Sequence, residues 1–156
     1  MRQRRSEQKI PMQAVESLRN ALGERLIAVV LFGSQARGDV HEASDWDLLV
    51  IAEGLPGKSF ERHLFLKRLL PPSCRGGISL IAKTPQEFQS RLPSLFLDMA
   101  LDGRILYDPQ GYGAAKMAAL RRLIRRSGLY RERTQAGDVW RWKKTPAQPW
   151  RLEWSE

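Results

Sequence analysis

The chain has 156 residues, 42% of them hydrophobic, one cysteine and a formal net charge of +9. That length suits one domain with a sizeable core, and a lone cysteine excludes an internal disulfide framework. No apolar run approaches the roughly 18 residues that span a bilayer, so a cytoplasmic chain without a membrane role is expected.

In chain order, residues 1–9 are basic, with Arg2, Arg4, Arg5 and Lys9 against Glu7, and no long apolar segment follows to make a secretory signal. Pro11–Leu22 predicts a helix, with Val15, Leu18 and Leu22 at helical spacing and Gly23 as its stop. Residues 25–32 (RLIAVVLF) predict a buried strand, and 33–37 (GSQAR) a turn into a short helical piece. After a polar loop, residues 45–52 (DWDLLVIA) predict a second strand. Residues 59–70 predict an amphipathic helix with Ser59 as N-cap, stopped at Pro71-Pro72.

A third strand is expected over 76–83. Thr84-Pro85 with Glu87 three residues after the threonine has the form of a capping box opening the next helix. Pro93 breaks that helix. A second apolar helix over 94–103, a short strand over 104–108 and a long helix within 109–128 follow. The last 28 residues hold four of the five tryptophans. Helices alternating with short strands give an α/β (α+β) fold, a small mixed sheet flanked by helices. Residues 10–128 read as one domain and 129–156 as a basic, Trp-rich C-terminal extension.

Asp45 and Asp47 stand one residue apart at the mouth of the second strand, so their side chains share a face, roughly 6.5–7 Å apart along the strand. Two such carboxylates repel unless a cation or proton lies between them, and Mg²⁺ is the simplest occupant. Gly33-Ser34 closes the neighbouring strand at the start of a helical turn, where backbone N–H groups and the hydroxyl can hold a phosphate. A phosphate cradle facing a carboxylate pair has the form of a nucleoside triphosphate site.

These residues carry a resemblance. Gly33-Ser34, ten intervening residues and Asp45-x-Asp47, set between a strand and Leu48-Leu49-Val50-Ile51, resemble the nucleotidyltransferase superfamily of DNA polymerase beta. The surrounding GSQARGD and SDWDLLV are similar to its small stand-alone members, the minimal nucleotidyltransferases, over roughly residues 12–108. The resemblance implies that Asp45 and Asp47 are the catalytic, metal-binding pair, that Gly33 and Ser34 contact the phosphates of ATP or another NTP, and that a hydroxyl displaces pyrophosphate from the α-phosphate. Arg37 occupies the family's basic position, where it either touches phosphate or forms a surface ion pair.

The family's third carboxylate lies on the next strand. Aligned on Thr84-Pro85-Gln86-Glu87-Phe88, that position is Ser79, which is a poor metal ligand and no general base. Nothing in the sequence brings Glu87, Asp98 or Asp39 there. Transfer of AMP to a hydroxyl, on a HEPN-type toxin protein in the pattern of the small members, is the first expectation. The alternatives are a catalytically inactive nucleotide-binding or partner-binding (antitoxin) module, and a nucleic-acid-binding protein.

Three further features stay open. His41 lies in the loop between Ser34 and Asp45, and His63 on the predicted helix 59–70. Arg121, Arg122, Arg125 and Arg126 make either a solvated helix face or a polyanion-binding one. Trp140, Trp142, Trp150 and Trp154 suit base stacking or an interface, and equally a tail that folds back to finish the core.

Overall fold

In a computed structural model of the protein, residues 9–39, 44–147 and 151–154 are described. The basic residues Arg2, Arg4 and Arg5, the loop His41 and Trp150 lie outside the described residues.

Helix α1 (Lys9–Leu22) runs into a 3-10 turn, Gly23–Arg25, and strand β1 (Leu26–Phe32). A five-residue helix, α2 (Gly33–Arg37), precedes strand β2 (Trp46–Ala52). Helices α3 (Ser59–Leu69) and α4 (Pro72–Arg75) lead to strand β3 (Ile78–Lys83). Helices α5 (Pro85–Ser90) and α6 (Ser94–Asp102), strand β4 (Arg104–Tyr107), helix α7 (Tyr112–Ser127) and the hairpin β5 (Leu129–Thr134) and β6 (Gly137–Trp142) complete the chain.

The four-stranded sheet has the order β3-β2-β1-β4. Strand β1 pairs antiparallel with both β2 and β4, while β2 and β3 are parallel, so the sheet is mixed as expected. The central strands are apolar on both sides because both sheet faces are covered. Leu48, Val50 and Ala52 point to one face, against Val15, Leu18, Leu66 and Cys74 from α1, α3 and α4. Leu49 and Ile51 point to the other, against Phe88, Phe96, Met117 and Leu120 from α5, α6 and α7. Burial pushes the Cys74 thiol pKa up, consistent with a packing role.

The Thr84 capping box forms as predicted. The threonine hydroxyl accepts from the Glu87 N–H at 3.2 Å, and the Glu87 carboxylate accepts from the Thr84 N–H at 2.9 Å. The Ser59 cap does not: Ser59 is the first helical residue, and Lys58 precedes it with no side-chain cap bond. The Pro71-Pro72 stop conceals a further single turn, α4, because a proline at the first helical position favours a new helix as readily as it ends an old one. Strand β3 starts at Ile78, with Gly76 and Gly77 left in the turn.

The tail is a folded element. Strands β5 and β6 pair antiparallel in register from Leu129 with Trp142 to Thr134 with Gly137. Trp140 and Trp142 share the inner face and pack, with Leu152 and Trp154, on the α5–α7 core. The Trp154 ring lies 5.3 Å from that of Phe88. Arg131 of β5 clamps Asp102 with both terminal nitrogens, at 2.5 and 2.8 Å, and the Trp140 indole N–H donates to Asp98 at 3.1 Å. The tail that folds back onto the core is thus the arrangement observed.

Candidate nucleotide site

The site forms where the C-terminal end of β1 meets the N-terminal end of β2. Phe32 pairs with Asp47, so the antiparallel register brings Gly33 beside the Asp47 carboxylate. Gly33 has φ +73°, a backbone region open to glycine but strained for other residues. A Cβ at that position would collide with Asp47 Oδ2 and stand 3.1 Å from its Cγ. Conformation and space both demand glycine. Ser34 follows at the first turn of α2, whose leading N–H groups have no partners within the helix.

Asp47 lies on the α5–α7 side of the sheet, the side of Leu49 and Ile51, whereas Trp46 packs on the α1 side. Asp45, one step outside the strand, is exposed, while Asp47 is half-buried. Both flanks of the pair are pinned. The Gln35 side chain donates to the Ser44 carbonyl at 3.2 Å, and the Trp46 N–H donates to the Gly77 carbonyl at 2.9 Å.

Burial, and then the neighbouring charge of Asp45, push the Asp47 carboxyl above the usual carboxylate range; a hydrogen bond from Ser79 and the charge of Arg37 work the other way. Part of what raises Asp47 is therefore the proximity of a second carboxylate. A divalent cation would reverse that repulsion, and a donor set of two carboxylates is chemically suited to hold one. Among the described residues no group of three His, Cys, Asp or Glu side chains comes together to hold a metal.

The parallel register of β2 and β3 puts Ser79 directly opposite Asp47, where its side chain works to lower the carboxyl's pKa. Glu87 is engaged with Arg62 at 2.6 and 2.9 Å, and Asp98 with Arg131 and Trp140. Arg37 Nε pairs with Asp39 at 3.4 Å, and the same Asp39 oxygen meets Arg133 of β5 at 3.2 Å. Arg133 is a neighbour of this region that no sequence pattern revealed, since it lies 94 residues from its partner. His63 is exposed on α3.

The sheet, its helices and this strand mouth define a nucleotidyltransferase domain, and a profile of the family described as "Nucleotidyltransferase domain" matches residues 13–72. A curated relative from Methanocaldococcus jannaschii, named "Putative protein adenylyltransferase MJ1305", is 32% identical over 116 residues, spanning 72% of this chain and 79% of the relative. The chain belongs to the nucleotidyltransferase family, a family of transferases.

Solved structures share the fold. A chain of a toxin–antitoxin crystal structure with AMP-PNP superposes with a TM-score of 0.54 at 18% identity, covering 74% of this chain and 87% of that one. A chain from the structure of the tri-AMPylated Shewanella oneidensis HEPN toxin in complex with MNT antitoxin gives 0.52 at 17% identity, covering 76% and 87%. No helix among the described residues is long and apolar enough to cross a membrane.

Proposed function

We propose that this protein transfers AMP from ATP to a hydroxyl group on a partner protein, and that the partner is a HEPN-type toxin. The carrying observation is the half-buried Asp47 carboxylate, which feels the charge of Asp45 and is packed against a glycine with room for no side chain. Asp45 and Asp47 would hold Mg²⁺, which when bound neutralises the triphosphate and the charge that develops on transfer. Gly33 and Ser34 contact the phosphates through the first turn of α2, and Arg37 adds a guanidinium beside them.

The acceptor oxygen bonds to the α-phosphorus as the bond to pyrophosphate breaks. The hydroxyl proton passes to solvent, because Ser79 offers no base. The M. jannaschii relative's name and the AMPylated toxin in the Shewanella structure support the protein acceptor. We assign residues 10–128 to the transferase unit and 129–156 to an extension, and place the protein in the cytoplasm.

Incubation of the full chain with labelled ATP, Mg²⁺ and the product of the adjacent gene tests the reading by intact mass. Gain of one or more AMP units on that partner is expected. An unmodified partner, with MgATP nevertheless bound by the chain, would defeat the transfer.

Ser79 favours a second reading, a nucleotide-binding antitoxin module that neutralises its partner by contact. In that case Ser79→Asp, which supplies a third carboxylate opposite Asp47, creates transfer where the wild type shows none. Under the first reading it raises an existing rate. Nucleic-acid binding through the α7 arginines is the remaining alternative, and it requires affinity that falls steeply with salt.

A further inference from the structure

The hairpin and the strand mouth are joined by an unbroken ion-pair chain. Arg37 Nε and Arg133 Nη2 approach the same Asp39 oxygen, at 3.4 and 3.2 Å. Arg133 Nε reaches Asp138 Oδ1 at 3.4 Å, and the other Asp138 oxygen lies 3.7 Å from Arg131 Nε. Arg131 in turn grips Asp102 at the end of α6. One end of this chain is the guanidinium whose charge reaches Asp47; the other is a fixed point in the core.

Two guanidiniums sharing one carboxylate oxygen is not an optimal pairing for either. Asp39 can satisfy one of them fully, and the second is then available to another anion. Of the two, Arg133 has the second anchor, Asp138, while Arg37 Nε has Asp39 alone among the ion pairs of the described residues. A cavity of about 430 Å³ lies beside the shared carboxylate, lined by Arg37, Asp39, Asp98, Arg133 and Asp138.

We propose that Arg133 is a positioning residue for the nucleotide site: by neutralising Asp39 it leaves Arg37 available to the triphosphate. This rests on the nucleotide reading above and adds a role for the C-terminal hairpin to it. Without Arg133, Asp39 would hold Arg37 as its only guanidinium partner among the described residues, and Arg37 would be spent on it in place of an incoming polyphosphate. The hairpin thereby acts on ligand affinity through Asp39 and touches no ligand itself.

The test is a double-mutant cycle on the full chain, with MgATP affinity read by calorimetry. Arg133→Met weakens binding roughly fivefold, the upper range for a surface ion pair. Arg133→Lys recovers most of the loss. Asp39→Asn binds at least as tightly as the wild type, and in the Asp39→Asn background Arg133→Met has no further effect. Melting temperature stays unchanged in Arg133→Met, whose side chain is 70% exposed in the wild type.

If the Arg133→Met loss persists in the Asp39→Asn background, Arg133 touches the ligand directly and the proposal falls. It falls equally if Arg133→Met binds as the wild type does. Absence of MgATP binding by the wild type would defeat the nucleotide reading itself, and this proposal with it.

Discussion

The α-carbon of Gly33 faces the carboxylate of Asp47 with no room for a side chain between them. This contact links the two halves of the strand mouth. The turn that starts α2 can lie against β2 because its first residue has no Cβ, and the same residue adopts a φ of +73° that releases the chain from β1.

Gly33→Ala therefore has two costs, steric displacement of Asp47 and a strained backbone. We expect a loss of about 1–3 kcal/mol of stability, measured by urea denaturation, together with MgATP affinity below detection by calorimetry. A variant that keeps wild-type affinity would mean that Asp47 and the α2 turn do not act as one site.

Asp47→Asn separates stability from function. The folded-state pKa of Asp47 lies above its usual value, so the ionised carboxylate costs the folded protein stability at neutral pH. That cost disappears as pH falls through the raised value and is absent below the ordinary value of 3.8. The asparagine variant is expected to melt higher than the wild type at pH 7 without metal, and the advantage should vanish near pH 3. Nucleotide transfer should drop about a thousandfold. Calorimetric melts across that pH range, and a transfer assay, check the two halves separately.

Glu87 has the opposite sign. Arg62, and then the Thr84 N–H, hold its carboxyl down at about 2, against an ordinary value of 4.5. Its stabilisation is present above the ordinary value and lost as pH falls through about 2. The Glu87 side chain is 40% exposed, so water weakens the pair with Arg62, and a glutamine here can keep the capping-box bond from the Thr84 N–H. Glu87→Gln, which removes the charge on the Arg62 pair, is expected to cost about 1 kcal/mol at pH 7. In acid titrations followed by circular dichroism, the gap from the wild type should close as the pH approaches 2.

Arg131→Met tests the docking of the hairpin. The substitution leaves Asp98, Asp102 and Asp138 crowded without their shared cation, at a side chain only 18% exposed. A loss of about 3 kcal/mol is expected. Arg131→Lys should recover only part of it, since an ammonium cannot reproduce the two-pronged grip on Asp102. Tryptophan fluorescence reports the same event, because the Trp140 indole is held by Asp98.

Much of the candidate site's local geometry was legible because its determinants are local. Strand alternation leads to the expectation that Asp45 and Asp47 share a face, and an apolar run ending in Gly-Ser announces a turn with open N–H groups. The Thr84 capping box is likewise a four-residue matter. Ser79 was reachable only by alignment on the following helix, and the parallel register then set it opposite Asp47. The Ser59 cap failed although its residue type suits that position, since the entry of the chain from Lys58 started the helix one residue early.

The role of Arg37 stayed open in the sequence because the deciding partner pattern is not local. Asp39 is two residues away, but the Arg133 that shares it is 94 residues beyond Asp39. The tail tryptophans were equally ambiguous until Trp140 met Asp98 and Trp154 met Phe88. Short-range geometry decides which backbone torsions a glycine permits and which side chains share a strand face, so composition and order suffice for those. Which distant charge shares a carboxylate, and which apolar face a hairpin covers, are set by how the helices pack across the sheet, and that only the folded chain decides.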